Sequence, residues 1–276
     1  MFKSQRIWQS LTCWILKMSK ATQAARRLLD EFGLDDVINL DLTDLVYARG
    51  LLYRETPLVG CDGRIVISPK GNAIITINSE TQYLPRKRFS IAHELGHFEL
   101  NHRLIHYDND ATLDFYKNGN QEAEANDFAA ELLIPGPTFN ASVAGKLFSP
   151  ILLEELAIKF GTSVSSVLYR YIDEGPHPIA AVFSFKGKVL FMKKSSHYHR
   201  RFIDLTKLSV PHNSVAEEWF QEQTRYNEND IQDVDLNVWF DMSRFRESGD
   251  GTIYTCHEYC FISESYNTVL SVIWED

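Results

Sequence analysis

The segment His93-Glu94-Leu95-Gly96-His97 carries three side chains whose types and spacing suit one piece of chemistry. On a helix, residues four apart differ by about 40° in azimuth and about one turn in height, so two imidazoles so spaced reach a single ion. Glu94 falls about 100° round from His93, near enough to take a proton from a water on the metal yet not aligned as a ligand. Zinc held this way lowers the pKa of its water to about 7 and polarises a carbonyl, while the carboxylate carries the proton from nucleophile to leaving group. At ordinary composition the pattern arises by accident in about one chain of this length per hundred. The plain alternative is a helix with two solvated histidines. Phe89, Gly96 and Leu100 oppose it, because they share the histidine face and make it a packed one. Gly96, costly in a helix interior, is expected where another backbone or a substrate comes close.

A catalytic zinc keeps a third protein ligand and an open position. Downstream, His102, His106, Glu122, Glu124, Asp127 and Glu131 offer donors. On the helix expected over QEAEANDFAAELL, Glu122 shares a strip with Ala125, Asn126, Ala129 and Leu133, which suits close packing against the histidine helix. Glu124 lies about 200° away, beside Asp127, Phe128 and Glu131, on a face whose carboxylates read as solvated. Glu122 is therefore the expected third ligand. Asn126, one turn on, is the expected acceptor of a ring N–H from a ligating histidine. Without a metal, Glu122 reads as a surface carboxylate stabilised in the first helical turn by the dipole. His102 falls nearly opposite the ligand face and reads as a capping or packing residue. Tyr107 and His106, in the loop after the metal helix, are candidates to stabilise an oxyanion.

Several elements must hold these groups. Ala24, Ala25, Leu28 and Leu29 recur at helical spacing before Gly33, and a second helix is expected through LTDLVYARG. GRIVIS and AIITIN alternate on either side of Pro69-Lys70-Gly71-Asn72 and predict a β-hairpin. Pro85 opens the helix that carries RKRFSIAHELGHFELNH. IHYDNDATLDFYKNGNQ is polar and aperiodic and reads as a loop. QEAEANDFAAELL is stopped by Pro135 and Pro137, and LLEELAIKF and VSSVLYRYI form a helical pair broken at Gly161 and Thr162. Beyond Pro176 and Pro178 the pattern turns to strands in AAVFSF, KVLFMKK, NVWFDM, TIYTCHEYCFI and TVLSVIW. The expected fold class is α+β, with an N-terminal domain over 21–175 and a smaller, mostly β region over 176–276. Residues 1–20 read as an extension, with Met18 beginning an ordinary amphipathic start.

RKRFSIAHELGHFELNH followed by EAEANDFAAELLIP resembles the ImmA/IrrE family of bacterial metallopeptidases, over roughly residues 21–172. The resemblance implies a zincin-like metallopeptidase domain with a small sheet over the metal helix. It implies one Zn2+ held by His93, His97 and Glu122, with Glu94 as catalytic base. Ile134 stands where the family usually has Met, a core-type exchange. The likeness further implies an endopeptidase whose substrate is a helix-turn-helix repressor, cut to release transcription of stress or mobile-element genes, while the few scattered cysteines fit a reducing, cytoplasmic compartment. A substrate peptide is expected to add to a sheet edge, with AIITIN the candidate edge and Ile75 and Ile77 the positions at which proline would weaken cleavage.

Composition narrows the alternatives. The chain of 276 residues is 44% hydrophobic and carries a formal charge of −9, which opposes a sequence-independent grip on nucleic acid. LLEELAIKFGTSVSSVLYRYI itself resembles a helix-turn-helix, but Arg170 is the one cation of its second helix, so a packing role is expected rather than DNA contact. A non-catalytic zinc sensor is the other alternative, and the intact Glu94 weighs against it. Cys13, Cys61, Cys256 and Cys260 are too few and too scattered for a disulfide framework. Cys256, His257 and Cys260 alternate along a strand with no second pair to close a metal site. No run of 18 apolar residues predicts a membrane span.

Overall fold

The computed structural model describes residues 18–34, 38–102, 115–243 and 254–276. Residues 1–17 of the extension and both oxyanion candidates, His106 and Tyr107, lie outside the described residues. Two compact units divide the chain, one of Met1–Ala141 with Ala157–Ser163 and the other of Ser142–Leu156 with Val164–Asp276.

In the first unit, β2 (Gly63–Ile67) and β3 (Ala73–Asn78) form the hairpin that their alternation predicts, with Ile65 opposite Ile75. Its turn is closed by the Ser68 N–H on the Asn72 carbonyl at 2.8 Å, with Gly71 at φ 85°. A strand absent from the sequence reading, β1 (Leu52–Thr56), joins β3 in parallel, and the sheet order is β1-β3-β2. AIITIN is thus the central strand and not an edge, and that expectation is corrected: the exposed edges are β1 and β2. Ile65, Ile75 and Ile77 are fully buried under the sheet, each worth about 2–3 kcal/mol of apolar burial.

Four helices support this sheet. α1 (Lys20–Phe32) is capped by Ser19, whose hydroxyl accepts the Thr22 N–H at 3.1 Å, and is stopped by Gly33 at φ 64°. α2 (Leu42–Ala48) is capped by Asp41. α3 (Leu84–Glu99) carries the histidine pair and packs beneath β2 and β3. α4 (Phe115–Leu133) packs on both α1 and α3. It begins six residues before the QEAEANDFAAELL pattern, so FYKNGN is helix rather than loop. The polar content that suggests a loop there breaks no helical rule except at Gly119. The face of α4 read as solvated is also corrected. Phe128 is fully buried, and Glu131 is buried against Arg26, whose Nε donates to it at 2.7 Å.

α5 (Gly136–Val143) and α6 (Pro150–Phe160) follow, and α7 (Val164–Glu174) belongs to the second unit. There Arg170 is paired with Glu174 one turn away at 2.7 Å. The rest of this unit is built on an antiparallel sheet of order β5-β4-β8-β7-β6, comprising β4 (Ile179–Phe185), β5 (Lys188–Lys194), β6 (Gln232–Asp235), β7 (Thr255–Ser263) and β8 (Thr268–Trp274). A short helix that periodicity did not flag, α8 (Val215–Glu222), covers β7 and β8 and brings Trp219 into a core with Trp239, Phe240 and Tyr198. NVWFDM is no strand: Leu236–Val238 is a 3-10 turn that buries Trp239 and Phe240. The architecture is α+β, a mixed sheet with helices and a separate, mostly β region. Cys61, Cys256 and Cys260 are free thiols. Among the described residues no helix is long and apolar enough to cross a membrane.

Candidate metal centre

His93 and His97 sit one turn apart on α3, and α4 lies alongside because Gly96 lets it. A methyl group at Gly96 would meet the Phe128 ring at 3.0 Å, so the small residue marks the contact line of two helices rather than a substrate path. This contact brings Glu122, on the edge of α4, up to the imidazoles. His93 Nε2 lies 3.0 Å from His97 Nε2 and 3.2 Å from Glu122 Oε2, and His97 Nε2 lies 3.5 Å from Glu122 Oε1. Ligand bonds of about 2.0–2.1 Å at tetrahedral angles put donor atoms about 3.3 Å apart. The three groups therefore have the spacing of one tetrahedral face, and they form the one group of three or more converging His, Cys, Asp or Glu donors among the described residues.

The protonation pattern suits a cation. Asn126 Oδ1 lies 2.9 Å from His93 Nδ1. An amide oxygen only accepts, so His93 carries its proton on Nδ1 and aims a lone pair from Nε2 at the common point. Asn126 stands where helix periodicity expects it. Burial, then the neighbouring His93 and His102, lower the His97 pKa to about 3, which keeps that ring neutral as a ligand must be.

Glu94 is buried on the sheet side of α3, where it accepts the backbone N–H of Ile65. Burial, then the Glu122 carboxylate, push its pKa up to about 7 against that hydrogen bond; a divalent cation at the histidines would pull the other way. Gly63 matters to this placement. A side chain there would meet Ile77 at 3.0 Å and the Glu94 carboxylate at 3.3 Å, so glycine lets β2 lie directly on the acid. The groups open into a cleft of about 380 Å³, walled by residues 61–65 on one side and by Phe89, Ser90, the histidines and Glu122 on the other. Glu122 is half exposed, which leaves the solvent side of the donor set accessible.

Two residues take parts that helix periodicity does not give them. His102 is buried with Nδ1 2.9 Å from His97 Nδ1, and its Nε2 lies 3.0 Å from Glu124 Oε2. Periodicity put His102 opposite the ligand face, but the helix ends first. Asn101 takes a left-handed φ of 53°, its N–H bonds to the Phe98 carbonyl and that of His102 to the His97 carbonyl, both at 3.0 Å. This is a Schellman turn, which folds the second residue past the cap back over the third-last helical residue, here His97. The Asn101-His102 pair after the helix carries the signal, because asparagine tolerates the left-handed region. Glu124, expected in solvent, is instead held by His102.

A peptidase family model described as the IrrE N-terminal-like domain matches residues 48–171, a little under half of the chain. Among solved structures, a Mycobacterium tuberculosis transcriptional regulator is similar, with a TM-score of 0.59 and 16% sequence identity over 94% of this chain and 76% of that one. At that identity the likeness is one of fold. No curated protein matches.

Proposed function

We propose that this protein, whose residues 48–171 carry an IrrE N-terminal-like peptidase domain, is a zinc-dependent endopeptidase that cuts a protein substrate. The observation that carries this reading is the convergence of His93 Nε2, His97 Nε2 and Glu122 on one point, in a cleft that Glu94 also faces. Those three residues would hold the ion, with nitrogen and oxygen donors of the kind zinc takes. Bound there, zinc supplies an acidified water and polarises the scissile carbonyl. Glu94 supplies the proton path, taking a proton at its carboxylate from the attacking water and returning it to the departing amine. The Ile65 N–H and the wall at Gly63 fix the orientation of that carboxylate.

The free edge of β2 supports binding of an extended peptide. Asp62, Arg64, Val66 and Ser68 are in register to bond to β3, which leaves the backbone of Gly63 and Ile67 and the carbonyl of Ile65 facing outward on the cleft side, the Ile65 N–H being taken by Glu94. An Ile67→Pro variant removes one outward N–H without touching the ladder. It should weaken cleavage with metal content unchanged.

A helix-turn-helix repressor is the proposed substrate, on the family resemblance. The test is co-expression with helix-turn-helix repressors from the source genome, comparing the wild type with Glu94→Gln. Cleavage by the wild type, lost in the variant with zinc retained, supports the reading. Equal behaviour of the two proteins sinks it.

A second reading keeps the metal without hydrolysis. The similar structure is that of a transcriptional regulator, and its likeness spans most of this chain. A regulator of this kind would bind duplex DNA or a partner protein in a zinc-dependent manner and would be indifferent to Glu94→Gln.

A further inference from the structure

The geometry points to a carboxylate–histidine–histidine relay, Glu124 to His102 to His97, that fixes which nitrogen His97 presents to the metal. This inference rests on the metal reading above and adds two positioning residues to it.

Glu124 Oε2 can only accept while ionised, so the His102 Nε2 facing it at 3.0 Å carries the proton. A neutral imidazole then has a bare Nδ1. That nitrogen faces His97 Nδ1 at 2.9 Å, so His97 must donate from Nδ1, and its own lone pair is left on Nε2. His97 Nε2 is the atom that points at His93 Nε2 and Glu122. Reversing any proton puts two lone pairs, or a lone pair and a carboxylate, face to face across a buried contact. The relay thus selects one tautomer, and it does so for a ring with almost no exposed surface at which water could substitute.

The fold supplies each link separately. The Schellman turn at Asn101 swings His102 over His97. The Glu122-Ala123-Glu124 step then serves both flanks of the same helix contact, since Glu122 meets the imidazoles of α3 and Glu124 meets the residue beyond its end. Ala125, Phe128 and Ala129 fill the buried strip of α4, so the two carboxylates cannot exchange roles. His93, whose partner Asn126 is a neutral amide on an exposed side chain, has no such charged support. His97 is the anchored ligand of the pair.

The test is zinc affinity of the full chain by competition with a chelator, together with the imidazole 15N spectrum. A His102→Leu variant keeps an apolar filler in a buried place and should lose 10- to 100-fold in affinity. His102→Gln can accept from His97 with its oxygen and donate to Glu124 with its nitrogen, and should recover most of that loss. Glu124→Ala, at a partly exposed position that folding tolerates, should lose about tenfold with an unchanged melting temperature. In the zinc-loaded wild type, the spectrum should show His97 protonated on Nδ1 and His102 on Nε2 alone. Unchanged affinity in both His102→Leu and Glu124→Ala, or a proton on His102 Nδ1, overturns the relay. Failure of the wild type itself to bind one zinc overturns the metal reading instead, so the two failures are distinct.

Discussion

Phe128 lies over Gly96 so closely that a methyl group on the glycine would stand 3.0 Å from its ring and 3.2 Å from its Cβ. The contact sets the distance between α3 and α4, and with it the reach of Glu122 to the imidazoles. Gly96→Ala gains up to about 1 kcal/mol of helix propensity but overpacks a fully buried aromatic, which costs about 1–3 kcal/mol. A net loss of stability in urea is expected, accompanied by weaker zinc binding. Combining it with Phe128→Leu should give less than the sum of the single losses. Additive losses would show that the two side chains do not meet.

How much of this was readable beforehand depends on where the residues sit. His93, Glu94, His97, Glu122 and Asn126 all lie inside regular helices, where a 3.6-residue period fixes relative direction, and the structure gathers them in one cleft. His102 lies past a left-handed residue, so extending the helical wheel to it gives the wrong side. Glu124 and Glu131 carry charges that suggest solvent, but each is held by a partner distant in sequence, His102 in one case and Arg26 in the other. The β2–β3 hairpin was legible from alternation and its turn. β1 was not, because LYRET is short and half polar and its parallel partner lies about twenty residues on, beyond any local pattern. In the second unit, the tryptophans of VAEEWFQE and NVWFDM pack by tertiary contact that no local period announces.

Asn101 provides a direct check on the turn that carries His102. Its φ of 53° is one that asparagine and glycine adopt readily and β-branched residues do not. Asn101→Gly should leave stability within a few tenths of a kcal/mol and zinc affinity unchanged. Asn101→Val should cost about 1–2 kcal/mol and lower zinc affinity through the displaced His102. Chemical denaturation and chelator competition on the same samples read both effects. A valine variant with wild-type values would mean the turn does not hold His102 in place.

Arg26 and Glu131 join α1 to α4 at 2.7 Å, with the carboxylate buried and also accepting the Gly136 N–H at 3.2 Å. Removing the cation takes the ion-pair partner away from a carboxylate in the interior. Arg26→Met should therefore cost about 3 kcal/mol, at the low end for a broken buried pair because the arginine is partly exposed. Adding Glu131→Gln to it removes the buried charge and should restore much of the loss. A double variant less stable than Arg26→Met alone would show that Glu131 is valued for its bonds to backbone rather than for the pair.

Glu258 supplies a pH dependence in the second unit that is independent of the metal centre. It sits on β7 with no exposed surface, accepting the Trp239 indole N–H at 2.9 Å and the Val215 N–H, in the first turn of α8, at 3.1 Å. Burial raises its pKa above the ordinary carboxyl value, against the pull of these donors and Ser271. Below about pH 4, under the unfolded value, both folded and unfolded chains hold the proton and this group's contribution is complete. As pH rises toward and through the folded value, the unfolded chain releases a proton that the folded chain retains, so stability is lost with rising pH. Glu258→Gln keeps an acceptor for both N–H groups and does not titrate. Its melting temperature relative to the wild type should therefore climb between pH 4 and pH 8. A difference that stays level or falls over that range would mean the carboxylate ionises in place without penalty, its charge met by the helix N-terminus and the indole.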